Sequence, residues 1–331
     1  VPNVDCPFPY SVNPHTHRAR EHLTVWTHRA GLVRSAPARK RFERADFGRF
    51  AALVYPTAGP EELELMADWF AWLFLLDDQL DDGDFGRRPE RMAEVTGQMR
   101  DVLANPPPAP GPPLAPVIGA LSDLWRRTTA HATYVWRNRF VSHLAQCLTT
   151  ATVWEARNRM RGSVPSEEAY IAHRRHTGAI YVCMDLIEIV EGVEVPPPIY
   201  GTPAFRNALD AACNVVCWVN DVYSLDKERS LGEVHNLVRV VQHHRRFDEP
   251  EAVKEVCAAI AAQLALYLAA EDELRHGFPG DMARLGPCLA GMRTWMRGNL
   301  DWSRQTQRYT SGHMDDGPDT YLEAVMMGVD Q

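Results

Sequence analysis

What most constrains this chain is the spacing of its apolar residues. They recur three and four positions apart over roughly 19–33, 61–78, 90–104, 117–127, 136–160, 167–191, 204–228, 233–244, 250–275 and 281–308, the pattern of helices with one buried face. Nearly all of these stretches are helix-length, and no series of short alternating Val/Ile/Thr runs bounded by turn residues interrupts them. The spacing predicts an all-α protein. With 331 residues and 45% hydrophobic content, the chain can bury a substantial core.

One compositional break, Asn105 to Pro116, is too rich in proline to propagate a helix. It reads as a surface loop between helices, because the roughly 100 residues before it look incomplete as a domain. A second proline cluster, Val195 to Pro203, reads as another interhelical loop, and from Thr310 onward the periodicity weakens. The expectation is one helical domain over residues 1–309, followed by a mobile C-terminal tail, 310–331.

The formal charge of -8 and pI near 5.9 argue against nucleic acid as a partner, since binding it requires neutralising many phosphates. Seven scattered cysteines form no CxxC pair and no zinc spacing, which favours a reducing, cytoplasmic setting. The most apolar run, Trp69 to Leu76, is far short of a bilayer span, and the N-terminus lacks a basic flank with an apolar core. Neither a membrane span nor a secretion signal is expected.

Directly after that apolar run comes Asp77-Asp78-Gln79-Leu80-Asp81-Asp82-Gly83, four carboxylates in six positions. On a helix Asp77 sits over Asp81 and Asp78 over Asp82, so like charges oppose folding. Gly83 reads as a helix terminator, which leaves these acids at the negative end of the helix dipole. A hard divalent cation would relieve both conflicts, and Mg²⁺ suits a site of one or two carboxylates completed by water and substrate phosphates. The same stripe continued backward carries Leu73, Phe74 and Phe70, so it predicts a cavity floor beneath a metal rim. Asp315-Asp316-Gly317-Pro318-Asp319 also matches DDxxD, but it contains Gly-Pro, follows no apolar helix and is assigned to the tail.

A second oxygen-rich segment, Asn220-Asp221-Val222-Tyr223-Ser224-Leu225-Asp226-Lys227-Glu228, places Asn220, Ser224 and Glu228 at i, i+4 and i+8. An amide, a hydroxyl and a carboxylate then share about one helical stripe, three ligands for one hard cation. Cys213, Val216 and Cys217 precede them on that stripe and repeat the arrangement of rim above lining.

The ND-x-x-S-x-x-KE pattern resembles the second metal motif of class I terpene synthases, and the Asp77 segment resembles their Asp-rich motif, in the family's order. The likeness extends to Leu63-x-Leu65-x-x-Asp68-Trp69-x-x-Trp72-x-Phe74 before the first motif and to Glu233-x-His235-Asn236-Leu237-Val238 after the second, spanning roughly residues 7 to 309. It implies a single-domain helical bundle around a central active-site cavity. It also implies ionisation of an isoprenyl diphosphate, farnesyl diphosphate first and geranylgeranyl diphosphate as the alternative, and cyclisation to a terpene hydrocarbon or alcohol. Three Mg²⁺ ions with bound diphosphate and a monomer or homodimer come with that reading.

By the same resemblance, Tyr170-x-x-x-Arg174-Arg175-x-Thr177-Gly178 is similar to the diphosphate-sensor helix, with Arg174 as sensor, Arg175 as the competing choice, and Thr177 and Gly178 as linker and helix-break effector. Lys227, Arg308 and Tyr309 resemble further diphosphate donors. Asp77 is the favoured bridging ligand and Asp78 a supporting acid, while either Asp81 or Asp82 is the distal acid. Leu76 stands where the family often has an aromatic. An apolar lining of Phe70, Leu73, Phe74, Tyr181, Val216 and Trp302 would stabilise a carbocation through aromatic faces without capturing it.

Four other readings fit less well. Isoprenyl diphosphate synthases carry two Asp-rich motifs, whereas the second here is Asn/Ser/Glu. A noncatalytic helical binding protein with two acidic faces would gain no thermal stability from Mg²⁺ plus diphosphate, whereas the enzyme should. No DxDD is present for protonation-initiated cyclisation, and no His-Asp dipeptide for a metal phosphohydrolase.

Overall fold

In a computed structural model of the chain, described over residues 3–82, 89–106, 114–230 and 232–309 apart from the side chains of 80–82, 89, 91 and 150–152, every regular element is helical. In order these are α1 (Thr16–Arg29), α2 (Ala36–Ala45), α3 (Phe47–Val54), α4 (Pro60–Asp82), α5 (Pro89–Ala104), α6 (Pro116–Thr128), α7 (Tyr134–Ala145), a π-helical segment (Gln146–Ala151), α8 (Thr152–Arg161) and α9 (Glu167–Thr177). They continue with α10 (Ile180–Glu191), a single turn α11 (Pro197–Tyr200), α12 (Pro203–Ser230), α13 (Leu237–Arg245), α14 (Glu249–Gly277), α15 (Met282–Gln305) and a 3₁₀ turn, Gln307–Tyr309. The all-α expectation holds. The assignments to the tail, including Asp315 to Asp319, lie outside the described residues, as does Gly83.

Two long helices organise the bundle. α4 starts at Pro60 with Glu61 and Glu62 in its first turn, where acids favour the dipole. Leu63, Met66, Ala67, Trp69, Phe70, Ala71 and Trp72 are all buried, as is Asp68, which is paired with His22 and Arg127, and the helix packs on α1, α3 and α6. α12 begins where the Thr202 hydroxyl accepts from Phe205 N and Pro203 takes a first-turn position. It lies against α14, α15, α9 and α13.

Several boundaries depart from the periodic reading. The stretch 167–191 is two helices, because α9 stops at Thr177 and Ala179 adopts a left-handed φ of 54° before α10 begins. The stretch 136–160 is α7, the π segment and α8. Residues 233–236 are not helical, since Asn236 caps α13 by accepting from Val238 N. α2 and α3 lie in a region the periodicity passed over. Nearly all of α3 is buried, so it shows no alternation of faces, and it is pressed onto α15 so closely that a Cβ at Gly298 would stand 2.5 Å from the Leu53 carbonyl oxygen.

One helix meets the length and composition of a membrane span. α14 is long and apolar enough to cross a membrane by length and composition, with mean hydropathy 1.5 over its most apolar window. In this fold it is docked along α12, with Ala252, Val256, Ile260, Leu264 and Tyr267 buried on one side.

Candidate active site

The C-terminal ends of α4 and α12 meet through two adjacent residues of the final turn. Arg308 donates from Nη2 to Asp78 Oδ1 at 2.9 Å and from Nη1 to Asp78 Oδ2 at 3.2 Å, a two-toothed fork on a buried carboxylate. Its neighbour Tyr309 accepts from Asn220 Nδ2. The first acidic motif, the second motif and the Arg-Tyr pair, far apart in sequence, therefore share one location. Asp77, one residue before Asp78, is exposed at the rim. The side chains of Asp81 and Asp82 lie outside the described residues, so the choice of distal acid is not addressed by the geometry.

Around α12 the oxygen donors are tightly held. Arg174 donates from Nη2 to Asn220 Oδ1 at 2.9 Å and from Nε to Asp221 Oδ1 at 3.0 Å. Ser224 Oγ lies 2.7 Å from both the Asn220 carbonyl oxygen and Glu228 Oε1. Asn236 donates to Glu228 Oε2 at 2.8 Å and to the Asp221 carbonyl at 2.6 Å. Burial, and then the nearby charge of Asp221, push the Glu228 carboxyl above its ordinary range, against the pull of Arg174, Asn236 and Ser224. Burial is the largest influence on Arg174 and works against its charge, but Asp221, Tyr170, Cys217 and Glu228 together outweigh it and the guanidinium pKa is raised.

Sequence reasoning missed the role of Asp221. It is fully buried and accepts from the Tyr170 hydroxyl at 2.7 Å, from Leu237 N at 3.0 Å and from Arg174. It thereby ties α9 and the start of α13 to the motif helix. Its place inside the ND-x-x-S string was visible, but its inward direction was not.

The two adjacent arginines separate cleanly. Arg175 Nη1 donates to Asn214 Oδ1 at 3.2 Å, and Arg175 Nη2 stands 3.7 Å from Asp210, well down α12 from Asn220. Gly178 follows the last residue of α9, where a Cβ would stand 3.1 Å from Arg174 Nη1, 3.3 Å from its carbonyl oxygen and 3.4 Å from Cys217 Sγ. A glycine there lets the guanidinium lie against the helix break. The Thr177 hydroxyl returns to the Arg174 carbonyl at 3.3 Å. Lys227 is half-buried on α12.

The π segment is a second feature with no sequence signal. Its Cys147 is buried, and its thiol is pushed up to about 12 by burial and then by the charges of Asp77 and Glu155. The π turn thus lies within electrostatic reach of Asp77 on α4 and Glu155 on α8. Such turns widen a helix by one residue and concentrate at functional sites.

The six lining candidates are packed to different degrees. Trp302 is buried, stacks on Phe50 at 4.2 Å and donates from Nε1 to the Ala45 carbonyl at 3.0 Å. Phe70 is buried against Phe50 and Trp295 at 4.9 and 5.5 Å, and Val216 is buried on α12. Leu73 and Phe74 are half-buried below Asp77, with Phe74 stacked on Phe47 at 4.6 Å and the Arg308 guanidinium 4.9 Å from its ring. Tyr181 stacks on His143 at 5.1 Å and donates to Asp210 at 2.6 Å. A separate cavity, bordered by Met184, Glu188, Phe205, Leu209, Cys288 and Met292, touches none of the six. Leu209 lies eleven residues before Asn220, about 16 Å along α12.

The donor set fits a hard cation. Asn220, Ser224 and Glu228 offer amide, hydroxyl and carboxylate oxygens, and the α4 acid Asp78 is joined to them through the Arg308–Tyr309 pair. Among the described residues no group of three His, Cys, Asp or Glu side chains forms a metal cage, so a bound ion would need the amide, the hydroxyl and oxygens from a ligand.

Known proteins are similar to this chain over most of its length. A family profile described as terpene synthase family 2, C-terminal metal binding, matches residues 68–265. Pristinol synthase of Streptomyces pristinaespiralis is 34% identical over 322 residues, covering 92% of this chain and 84% of that protein. The (+)-T-muurolol synthase ((2E,6E)-farnesyl diphosphate cyclizing) of Roseiflexus castenholzii is 33% identical, covering 93% of each. Linalool/nerolidol synthase from Streptomyces clavuligerus, solved in complex with 2-fluorogeranyl diphosphate, superposes with a TM-score of 0.81 at 28% identity, covering 93% of this chain and 100% of that one.

Proposed function

Since the chain belongs to the metal-binding terpene synthases of family 2 and is a class I terpene cyclase, we propose that it ionises farnesyl diphosphate with Mg²⁺ and folds the cation into a cyclic sesquiterpene. One observation carries the site assignment: Arg308 and Tyr309, neighbours in sequence, hold Asp78 of the first motif and Asn220 of the second. A diphosphate entering between these ends would meet Arg174, Lys227, Arg308 and Tyr309 as donors. Asp77, with Asp81 or Asp82, and Asn220, Ser224 and Glu228 would hold three Mg²⁺ ions, which when bound supply the positive charge that makes diphosphate a competent leaving group.

The chain's own residues do the rest. Asn220 and Tyr309 occupy each other's polar groups, and Arg308 occupies Asp78, so the donors wait in place without exposing unpaired charge. Arg174 reaches the Asn220 side chain across the helix break, which couples movement of Gly178 to the motif. Beneath, half-buried Leu73 and Phe74 present apolar surface that excludes water and offers no nucleophile to a carbocation. The name of one relative specifies farnesyl diphosphate, which supports the fifteen-carbon substrate. The domain is proposed to span residues 1–309 and to act in the cytoplasm.

The test is direct. Purified protein with Mg²⁺ and ten-, fifteen- or twenty-carbon isoprenyl diphosphates should release a cyclic fifteen-carbon product, read by gas chromatography and mass spectrometry. A twenty-carbon cyclic product overturns the substrate length. Chain elongation on adding a five-carbon diphosphate overturns the reaction.

A further inference from the structure

We propose that the acidic segment Asp315-Asp316-Gly317-Pro318-Asp319 seats on the basic outer face of α2, beside the turn that carries Arg308 and Tyr309. This is an interaction surface within the chain, apart from the metal motifs, and it stands whatever the substrate.

α2 runs against the charge of the molecule. In a chain of net charge -8, residues 29–49 carry seven Arg or Lys and two acids, a local +5. Ala38, Phe42 and Ala45 turn into the core, which puts Lys40 and Arg44 on the outer side with Arg39 at its edge. Arg39 and Lys40 are exposed and Arg44 is half-buried, and the three side chains make no hydrogen bond or ion pair among the described residues. Lys40 and Arg44 stand one turn apart, a like-charge pair that weakens a helix. The first turn holds no acid, so Arg39 and Lys40 also lie near the positive end of the helix dipole. Of the two acids, Asp46 is taken by Arg20 and by the cap of α3, which leaves Glu43. An anionic partner would relieve all of these conflicts.

The chain supplies one. Residues 310–331, which lie outside the described residues, hold five Asp or Glu and no Lys or Arg. They begin where the turn Gln307–Tyr309 packs on α2, close to the point at which Trp302 Nε1 donates to the Ala45 carbonyl. Asp315 follows Tyr309 by six residues, a reach of up to about 20 Å, and α2 is about 15 Å long. The acids can therefore meet any part of the helix. Tethering keeps their local concentration in the millimolar range, which lets several individually weak surface ion pairs act together. The second DDxxD match is on this account a partner for Lys and Arg, not for metal.

Two other anions fit less well. A small phosphate would find no pocket, because these basic groups stand on the outer side of a surface helix. A lipid surface calls for apolar side chains among the bases, and the one large apolar residue of α2, Phe42, is buried.

The chain has three lysines, Lys40, Lys227 and Lys254, so zero-length carbodiimide coupling of lysine to carboxylate, mapped by mass spectrometry on the full chain, tests the idea. At low salt Lys40 should join Asp315, Asp316 or Asp319 in the monomer, with the same yield in EDTA. The yield should fall at least fivefold in about 0.5 M salt, where the screening length is about 4 Å. Arg39→Gln/Arg44→Gln, which keeps Lys40, should lower it at least threefold with helicity unchanged by circular dichroism. Reversing both sides together, with Arg39→Glu/Lys40→Glu/Arg44→Glu and Asp315→Lys/Asp316→Lys/Asp319→Lys, should restore coupling between position 40 and positions 315–319. Coupling of Lys40 to Glu43 within α2 reports that the reagent reached the helix. The proposal is overturned if Lys40 couples to Glu43 but not to the acidic segment, if Lys254 couples to that segment as well as Lys40 does, or if the yield ignores salt and the loss of Arg39 and Arg44. It is equally overturned if EDTA abolishes the coupling, if the double reversal fails to restore it, or if anionic lipid vesicles bind the protein and erase it.

Discussion

α4 and α12 follow the same plan, an apolar body ending in oxygen donors, yet their ends are secured differently. On α12, Asn220, Asp221, Ser224 and Glu228 are tied to one another and to Arg174 and Tyr170 of α9, to Asn236 before α13 and to Tyr309. On α4, Asp78 is gripped by an arginine 230 residues away in sequence, while Asp77 stands exposed. The α12 end is preset by buried bonds that ordinary folding supplies. The α4 end is completed by the last turn of the domain, so the two halves of the site differ in how far they are organised before a ligand arrives.

The comparison breaks most visibly if either end is stripped of its principal oxygen donor. Asp77→Ala and Asn220→Ala should each lower kcat/KM by at least about a hundredfold, the scale on which loss of one well-placed charge-stabilising group is felt, with helicity retained by circular dichroism. Full activity in either variant contradicts the metal assignment. Arg174→Gln should follow, with a loss of about a hundredfold and a stability cost of roughly 3–5 kcal/mol by urea unfolding, because it leaves buried Asp221 without its cation. Arg175→Gln, whose partners are Asn214 and half-exposed Asp210, should lose less than tenfold. Equal effects at the two positions would erase the distinction between them.

A smaller effect isolates the helix break. Gly178 has an ordinary φ of −77°, so Gly178→Ala imposes no backbone strain, but its methyl would stand 3.1 Å from Arg174 Nη1. The guanidinium must give by a few tenths of an ångström. We expect about a tenfold fall in kcat, since sub-ångström misplacement of a positioning group is costly, while the melting temperature hardly moves. Unchanged kinetics would show that Arg174 tolerates displacement.

Much of this was legible in the sequence, for reasons that also mark where legibility ends. α4 and α12 could be read because period and motif lie in one continuous segment: Phe70 to Asp77 and Val216 to Glu228 each pass from apolar to oxygen-rich on one face. α3 could not, because a helix buried on all sides has no alternation to detect. The π turn at Gln146–Ala151 adds a residue per turn without any compositional mark. The break at Gly178 came from family resemblance, while periodicity alone ran straight through 167–191. Pairings such as Arg308 with Asp78 are tertiary and had no local signal, and the inward role of Asp221 needed the positions of Tyr170 and Leu237 N.

The finest test of the difference between the two ends is Tyr309→Phe. It removes one hydroxyl, leaves the edge contact with Trp302 at 5.7 Å available, and deprives Asn220 Nδ2 of its acceptor. Because Asn220 keeps the Arg174 bond on its oxygen, the α12 end should hold its shape, with a stability loss of about 0.5–1.5 kcal/mol, the net value of one ordinary hydrogen bond. Kinetically the loss should be about threefold to fivefold and concentrated in KM, the pattern expected when a group binds ground and transition states alike. A fall confined to kcat would instead mean that Tyr309 acts on the departing diphosphate during ionisation, and the α12 end would then be no more complete before binding than the α4 end.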